Sequence, residues 1–297
     1  MASTKEIRTR LASAASTKQI TSAMKMVSAA KLKKAQDAVL QLRPYVQKLQ
    51  EILGSISSSD SEGASEFTRA RDEERVLIIA ITSNRGLCGA FNANVAKQAM
   101  QLVQDKYSFQ LSSRKLSFIA IGKKGGDFLR RKNLPLVEVN TDLVDKVNFN
   151  KIAEYAESLM REYKGGKYDK IEIVYNQFKN AAIQILRTEQ FLPVPKAEVK
   201  ATKGKNTVNT NYDFIYEPSK EEIVKDLIPK TLKVQLFKAI LDSVASEHGA
   251  RMTAMHKATD NATELLKELR LQYNKARQSA ITNEILEIVG GAEALNG

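Results

Sequence analysis

Two glycine-bearing turns are where this sequence could hold a phosphate. TSNRGLCGAFN spans residues 82–92 and IGKKGGDF spans residues 121–128. Each follows an apolar run that reads as a buried strand and precedes a helical stretch. That is the setting in which backbone N–H groups and a helix N-terminus cradle anions. Neither turn has the spacing. The first is not G-x-G-x-x-G, and neither contains the G-K-[ST] of a P-loop. Gly86 and Gly89 therefore read as tight backbone turns, and Arg85, Gly86, Cys88 and Gly89 as a structural loop of the central region. Cys88 has no second cysteine to pair with, which excludes an internal disulfide and fits a reducing compartment. His248 and His256 lie two helical turns apart, and no metal site is expected from them. No Ser/His/Asp set or paired-carboxylate signature stands out. The chain reads as non-catalytic, with no cofactor and no metal.

The remaining chemistry is charge. The formal net charge is +12, which predicts an acidic partner. Residues 1–56 hold ten Lys/Arg against three Asp/Glu, whereas residues 220–297 hold eleven of each. The excess is thus concentrated near the start, where KLKKAQ sets Lys31, Lys33 and Lys34 on one short stretch. A basic coiled coil could bind nucleic acid, but the N-terminal stretch has almost no aromatics for stacking, and its basic residues alternate with apolar seam positions. There is no run of 18 apolar residues and no apolar centre to a secretory signal.

The elements that position these groups fall into four segments. Residues 1–57 read as one long helix. Leu32, Ala35, Val39, Leu42, Val46, Leu49, Leu53 and Ile56 step by alternating threes and fours, a coiled-coil seam. Ile7, Leu11 and Ala14 carry the same step, and Ile20, Met24 and Val27 read as resuming it in a shifted phase. Pro44 should kink this helix. Residues 58–74 form a polar linker. Residues 75–215 alternate strands and helices, which argues for a small Rossmann-like α/β domain with a mostly parallel sheet and a terminal hairpin. Residues 219–297 read as a second long helix. Its stripe runs through Phe237, Leu241, Val244, His248, Arg251, Met255, Ala258, Ala262, Leu265 and Leu269, and resumes at Ile281, Ile285 and Ile288. Helices of roughly 55 and 70 residues reach about 80 and 105 Å. The fold class expected is α/β: a long antiparallel coiled coil of the terminal helices, with the α/β domain inserted at one end. The longer C-terminal helix should outrun its partner and leave an apolar tip that needs a partner surface.

Three segments resemble one family. KEIRTRLASAASTKQITSAMKMVSAAKLKKAQ near the start, TSNRGLCGAFN in the middle and ELRLQYNKARQSAITNEILEIVGGAEAL at the end are similar to the gamma subunit of F-type ATP synthase, in the family's order. The resemblance covers nearly the whole chain and is weakest over 105–215. It implies a central rotor shaft. The two terminal helices would turn inside a hexamer of alternating alpha and beta subunits. The globular domain would rest against the epsilon subunit and the membrane c-ring. Ion flow through the ring would drive rotation and force each beta site through its cycle of affinities. By matching motif positions, the resemblance assigns Met24 and Lys25 to the shaft surface that meets the hexamer; Lys31, Lys33 and Lys34, a solvated face or a contact for acidic loops of the beta subunits, are expected on the same surface with Arg251. It assigns Arg277, Gln278, Thr282 and Glu284 to a polar catch, and Ile281, Ile285 and Ile288 to an apolar sleeve. It implies no nucleic-acid partner, membrane association only through the complex, and a peripheral location on the cytoplasmic side of the plasma membrane. A Met1 followed at once by family sequence favours a bacterial chain, and a single cysteine leaves no thiol switch.

Overall fold

The computed structural model describes residues 4–57, 66–69, 71–195 and 220–296. Most of the polar linker and the KATKGKNTVNTN stretch lie outside the described residues. The chain divides into two compact units, one of residues 1–29 with 251–297 and one of residues 30–250.

The larger unit holds a five-stranded sheet. Strands β1 (Val76–Ile81), β2 (Leu116–Ile121), β3 (Leu136–Asn140) and β4 (Lys170–Phe178) run parallel, and β5 (Gln184–Leu192) pairs antiparallel with β4. The order is β3-β2-β1-β4-β5. VLIIAI is buried at all six positions because β1 sits at the centre with cover on both faces. Helices α2 (Phe91–Lys106), α4 (Lys123–Arg131) and α6 (Phe149–Lys164) make the crossovers, and α3 (Ser108–Ser112) and α5 (Asp142–Asp145) are short additions that the sequence does not announce. One side of the core joins Val95, Ala99 and Val103 of α2 to Ile78, Phe118 and Val174 of the sheet.

Helix α1 is Thr4–Ser57, continuous through Pro44, and α7 is Lys220–Asn296, continuous through Pro229. Within the larger unit, α7 is buried at every position from Ala239 to Glu247, as a helix is when cover surrounds it. Phe149 stacks edge-on against Phe237 at 5.4 Å, and Lys233 pairs with Glu157 at 2.5 Å. On α1, Leu32, Ala35, Val39 and Leu49 are buried, and Leu42 and Val46 half-buried. The side chains of Leu53 and Ile56 lie outside the described residues.

In the smaller unit the two helices pair antiparallel. Ile7 and Ala14 cluster with Leu266 and Leu269, and Leu11, Tyr273 and Ala276 pack against them. Thr259 Oγ1 donates to Thr21 Oγ1 at 2.8 Å, and Lys25 Nζ lies 3.4 Å from His256 Nδ1. Two details of the seam differ from the sequence reading. The phase does not shift after Ala14. It continues at intervals of seven through Thr21 and Ser28, both buried, while Ile20 and Val27 are each 57% exposed. A 3.5-residue repeat is a geometric property of the helix pair, so it persists where side chains turn polar. On α7 the seam residue is Leu266, not Leu265, which is 47% exposed. The stripe through Arg251 and Met255 continues at Ala262, Leu266 and Leu269, so the apolar residue one position earlier faces about 100° away.

Candidate functional site

The loop after β1 does its chemistry internally. Gly122 is in the left-handed region with φ +107°, so that β2 can cross into α4 directly over Thr82. The first N–H groups of α4, the ones that would bind phosphate, are all taken. Lys123 N donates to Asn84 Oδ1 at 3.0 Å, Lys124 N to the Ser83 carbonyl at 3.0 Å, and Gly125 N to Thr82 Oγ1 at 2.9 Å. Thr82, Ser83 and Asn84 thus cap a helix forty residues away, leaving no orphan donors for an anion.

The rest of the loop is held by Asn92. Its Oδ1 accepts from Ser83 N at 2.9 Å, and its Nδ2 reaches Ser83 Oγ at 2.8 Å and Cys88 Sγ at 3.2 Å. Cys88 is buried at 2% exposure, inside this network. The left-handed residues are Leu87 and Gly89, with φ of 63° and 59°. Gly86 keeps an ordinary φ, so only Gly89 of the two expected glycines needs its conformational freedom. Arg85 is exposed.

The strand order reverses between β1 and β4, and open parallel sheets bind ligands in the crevice outside the strand ends at such a point. Here that crevice carries α7. Ser246 Oγ donates to the Asn176 carbonyl at 3.0 Å, Asn176 Nδ2 donates to the Phe91 carbonyl at 3.3 Å, and Gly249 lies against the Ala181 backbone. Among the described residues there is also no cluster of His, Cys, Asp and Glu fit for a metal. The sequence reading passes over Asp260, four residues after His256. The two approach to 3.4 Å, an exposed i,i+4 pair. A hollow of about 410 Å³ lies at the β3 edge, lined by Arg130, Asn133, Val137 and Glu138, away from the crevice.

Gly122→Ala should be strongly destabilising. Its Cβ would fall on the Thr82 carbonyl oxygen at a φ that L-residues rarely adopt. A loss on the order of 3 kcal/mol is expected in denaturant unfolding; a midpoint equal to wild type would contradict the close crossing.

The groups assigned to the shaft surface separate by environment. Met24 and Lys25 are half-buried, and Lys31, Lys33 and Lys34 are exposed. Arg251 is buried at 7% exposure. Arg277, Gln278, Thr282 and Glu284 are all exposed, with Thr282 Oγ1 donating back to the Gln278 carbonyl at 2.9 Å. Ile281, Ile285 and Ile288 are 47%, 55% and 71% exposed. Leu286 and Val289 share that exposure, and Ile20, Met26 and Val27 form a second exposed apolar group on α1. The sequence reading assigns neither Leu286 nor the α1 group, because an apolar residue on a seamed helix reads first as core.

Among the described residues no helix is long and apolar enough to cross a membrane. A family model described as ATP synthase matches residues 3–295. The ATP synthase gamma chain of Flavobacterium psychrophilum is 56% identical, with 100% of each chain covered. That of Flavobacterium johnsoniae is 57% identical, also over 100% of each. A chain from the central stalk and c-ring structure of the Tetrahymena thermophila mitochondrial ATP synthase superposes with a TM-score of 0.56 at 26% identity, covering 80% of this chain and 99% of that one. A chain of the Euglena gracilis mitochondrial ATP synthase rotor gives a TM-score of 0.65 at 24% identity, covering 94% and 98%. With a family model over residues 3–295 and gamma chains 56% and 57% identical over the full length of each, the chain belongs to the ATP synthase gamma chain family.

Proposed function

We propose that this chain is the central rotor shaft of an F-type ATP synthase and that it carries out no nucleotide chemistry of its own. The observation that carries the reading is the end of α7. Its pairing with α1 extends to Ala276, and every position from Arg277 to Ala292 is exposed, five of them large aliphatics. Such a helix is stable in water only at a cost, and seating it in an apolar bearing removes that cost. Ile281, Ile285, Leu286, Ile288 and Val289 fit the sleeve of an alpha–beta hexamer, and Arg277, Gln278, Thr282 and Glu284 the polar catch beside it. Lys31, Lys33 and Lys34, exposed on α1, suit acidic loops of the beta subunits. These contacts are exposed and modest, which suits rotation: a deep ion pair at one angle would have to be broken on every turn.

The sheet domain is the part that meets the epsilon subunit and the c-ring, so that ion flow turns the shaft and the shaft drives the beta sites. The complex is held at the membrane by the ring, which makes this chain peripheral, on the cytoplasmic side. The capped start of α4 and the filled crevice support the non-catalytic reading. Purified alone, the chain should not hydrolyse ATP; turnover free of other subunits, abolished by substitution within this chain, would overturn that. The class itself is tested by affinity purification from the native membrane. A hexameric ATPase and a c-ring should co-purify, and nucleic acid in their place would sink the shaft reading.

A further inference from the structure

The polar stretch before β1 is not left free. Its described residues, 66–69 and 71–75, are tied to α3, to α6, to the start of β4 and to the residues after β5. Tyr163 of α6, fully buried, holds one half. Arg71 lies over its ring at 4.7 Å and donates from Nη1 to its carbonyl at 2.9 Å. Phe67 packs on the same ring at 6.4 Å, and the Tyr163 O–H donates to the Arg69 carbonyl at 3.3 Å. Asp169, 5% exposed, holds the other half. Its Oδ2 accepts from Arg75 N at 2.9 Å and Nε at 3.1 Å, its Oδ1 from Nη2 at 3.0 Å, and its own N–H donates to the Arg75 carbonyl at 2.7 Å. Between the two, Glu73 is caught on both sides: Lys170 Nζ donates to its Oε1 at 2.6 Å, and Gln110 Nε2 to its carbonyl at 3.0 Å. Val194 N closes the far end on the Phe67 carbonyl at 2.8 Å. A forked arginine–carboxylate pair is among the stronger and more directional of hydrogen-bonded contacts, and with its carboxylate buried it is screened little by salt.

We propose that this segment is a force-carrying strap between α1 and the sheet domain, with Tyr163 and Asp169 as the positioning residues that anchor it. The proposal rests on the shaft reading, because without torque there is no force to carry. The chain passes from α1 to β1 through this segment, so a pull between the shaft helix and the sheet travels along it. Untied, it would stretch before it passed any force, and it would deliver all of that force to β1. Tied at Tyr163, Asp169, Lys170 and Gln110, it passes force to α6, β4 and α3 at once. The contrast with the far end of the shaft is physical. The groups at the tip of α7 are exposed and form contacts that must slide, whereas the anchors are buried and must not.

The test uses the whole complex in membrane vesicles, hydrolysing ATP against a rising opposing ion gradient, with Arg71→Ala and Arg75→Ala combined in this chain. The two substitutions free both anchors and leave the sheet core intact. Amide exchange over residues 71–75 should speed by about tenfold or more, as the loss of charged hydrogen bonds implies. Ions pumped per ATP should equal wild type with no opposing gradient, and pumping should fail at a lower gradient than wild type sustains. Lys167→Ala loses an exposed pair with Glu162 that does not involve the strap, and it should match wild type in both measurements. Faster exchange with wild-type pumping against every gradient overturns the strap, and so does unchanged exchange. An equal loss of pumping with no gradient also overturns it, because a strap fails only under load. If the double variant does not assemble, Arg71→Ala alone is read in the same way. Co-purification with the unaltered chain is a separate measurement, so the shaft reading and the strap can fail independently.

Discussion

Leu266→Asp should open the helix pair near the N-terminus of the chain, and Leu265→Asp, one residue earlier, should not. Leu266 is 9% exposed in the cluster with Ile7, Ala14 and Leu269, whereas Leu265 is 47% exposed. A carboxylate placed in that cluster sits among Ile7, Ala14 and Leu269 and must either lose its charge or drag water in. The expected loss is on the order of 3 kcal/mol, while the exposed substitution should stay within about 0.5 kcal/mol. Because the smaller unit is a two-helix pair with little else to hold it, the first variant should also fray α1. Circular dichroism and exchange protection over residues 4–29 would register this. Equal effects at the two positions would overturn the seam, and a larger effect at Leu265 would restore the stripe first read from the sequence.

Shortening α7 gives the second large effect, on coupling rather than folding. Removing residues after Glu293 should leave the motor intact. Gly290 and Gly291 each cost about 1 kcal/mol of helix propensity relative to Ala, and among the described residues nothing outside their own stretch of helix lies within 4 Å of where their Cβ atoms would be. Cutting back past Ile285 is different. It deletes Ile285, Leu286, Ile288 and Val289, four of the five exposed aliphatics at this end, and brings the cut next to Thr282 and Glu284. The core of the larger unit and the pair formed by Ile7, Ala14, Leu266 and Leu269 remain, so assembly should survive. Ion pumping per ATP hydrolysed, measured in membrane vesicles, should drop several-fold in the longer truncation and hardly at all in the shorter. Undiminished pumping in the longer one would mean that the tip is no bearing.

The sequence alone determined the long helices, the strands and the family, though not the short helices α3 and α5. The three- and four-residue steps of Leu32, Ala35, Val39 and Leu49, the buried run VLIIAI, and the hairpin of β4 and β5 are local patterns, and local patterns follow from backbone periodicity. The uncovered tip was legible too, since it needs only the difference between two helix lengths. Tertiary structure decided what depends on residues far apart in the chain. Thr21 and Ser28 lie in the seam because Thr259 and its neighbours stand opposite, and no hydrophobicity pattern contains that fact. TSNRGLCGAFN reads as a structural turn from its spacing, but what it holds was not legible: its first three residues cap α4, whose N-terminus is brought to them only by the parallel pairing of β1 with β2. Asp242 could not be picked out from its neighbours on α7. Its 2% exposure and the lack of a partner for its Oδ1 come from packing around α7 and not from the local sequence.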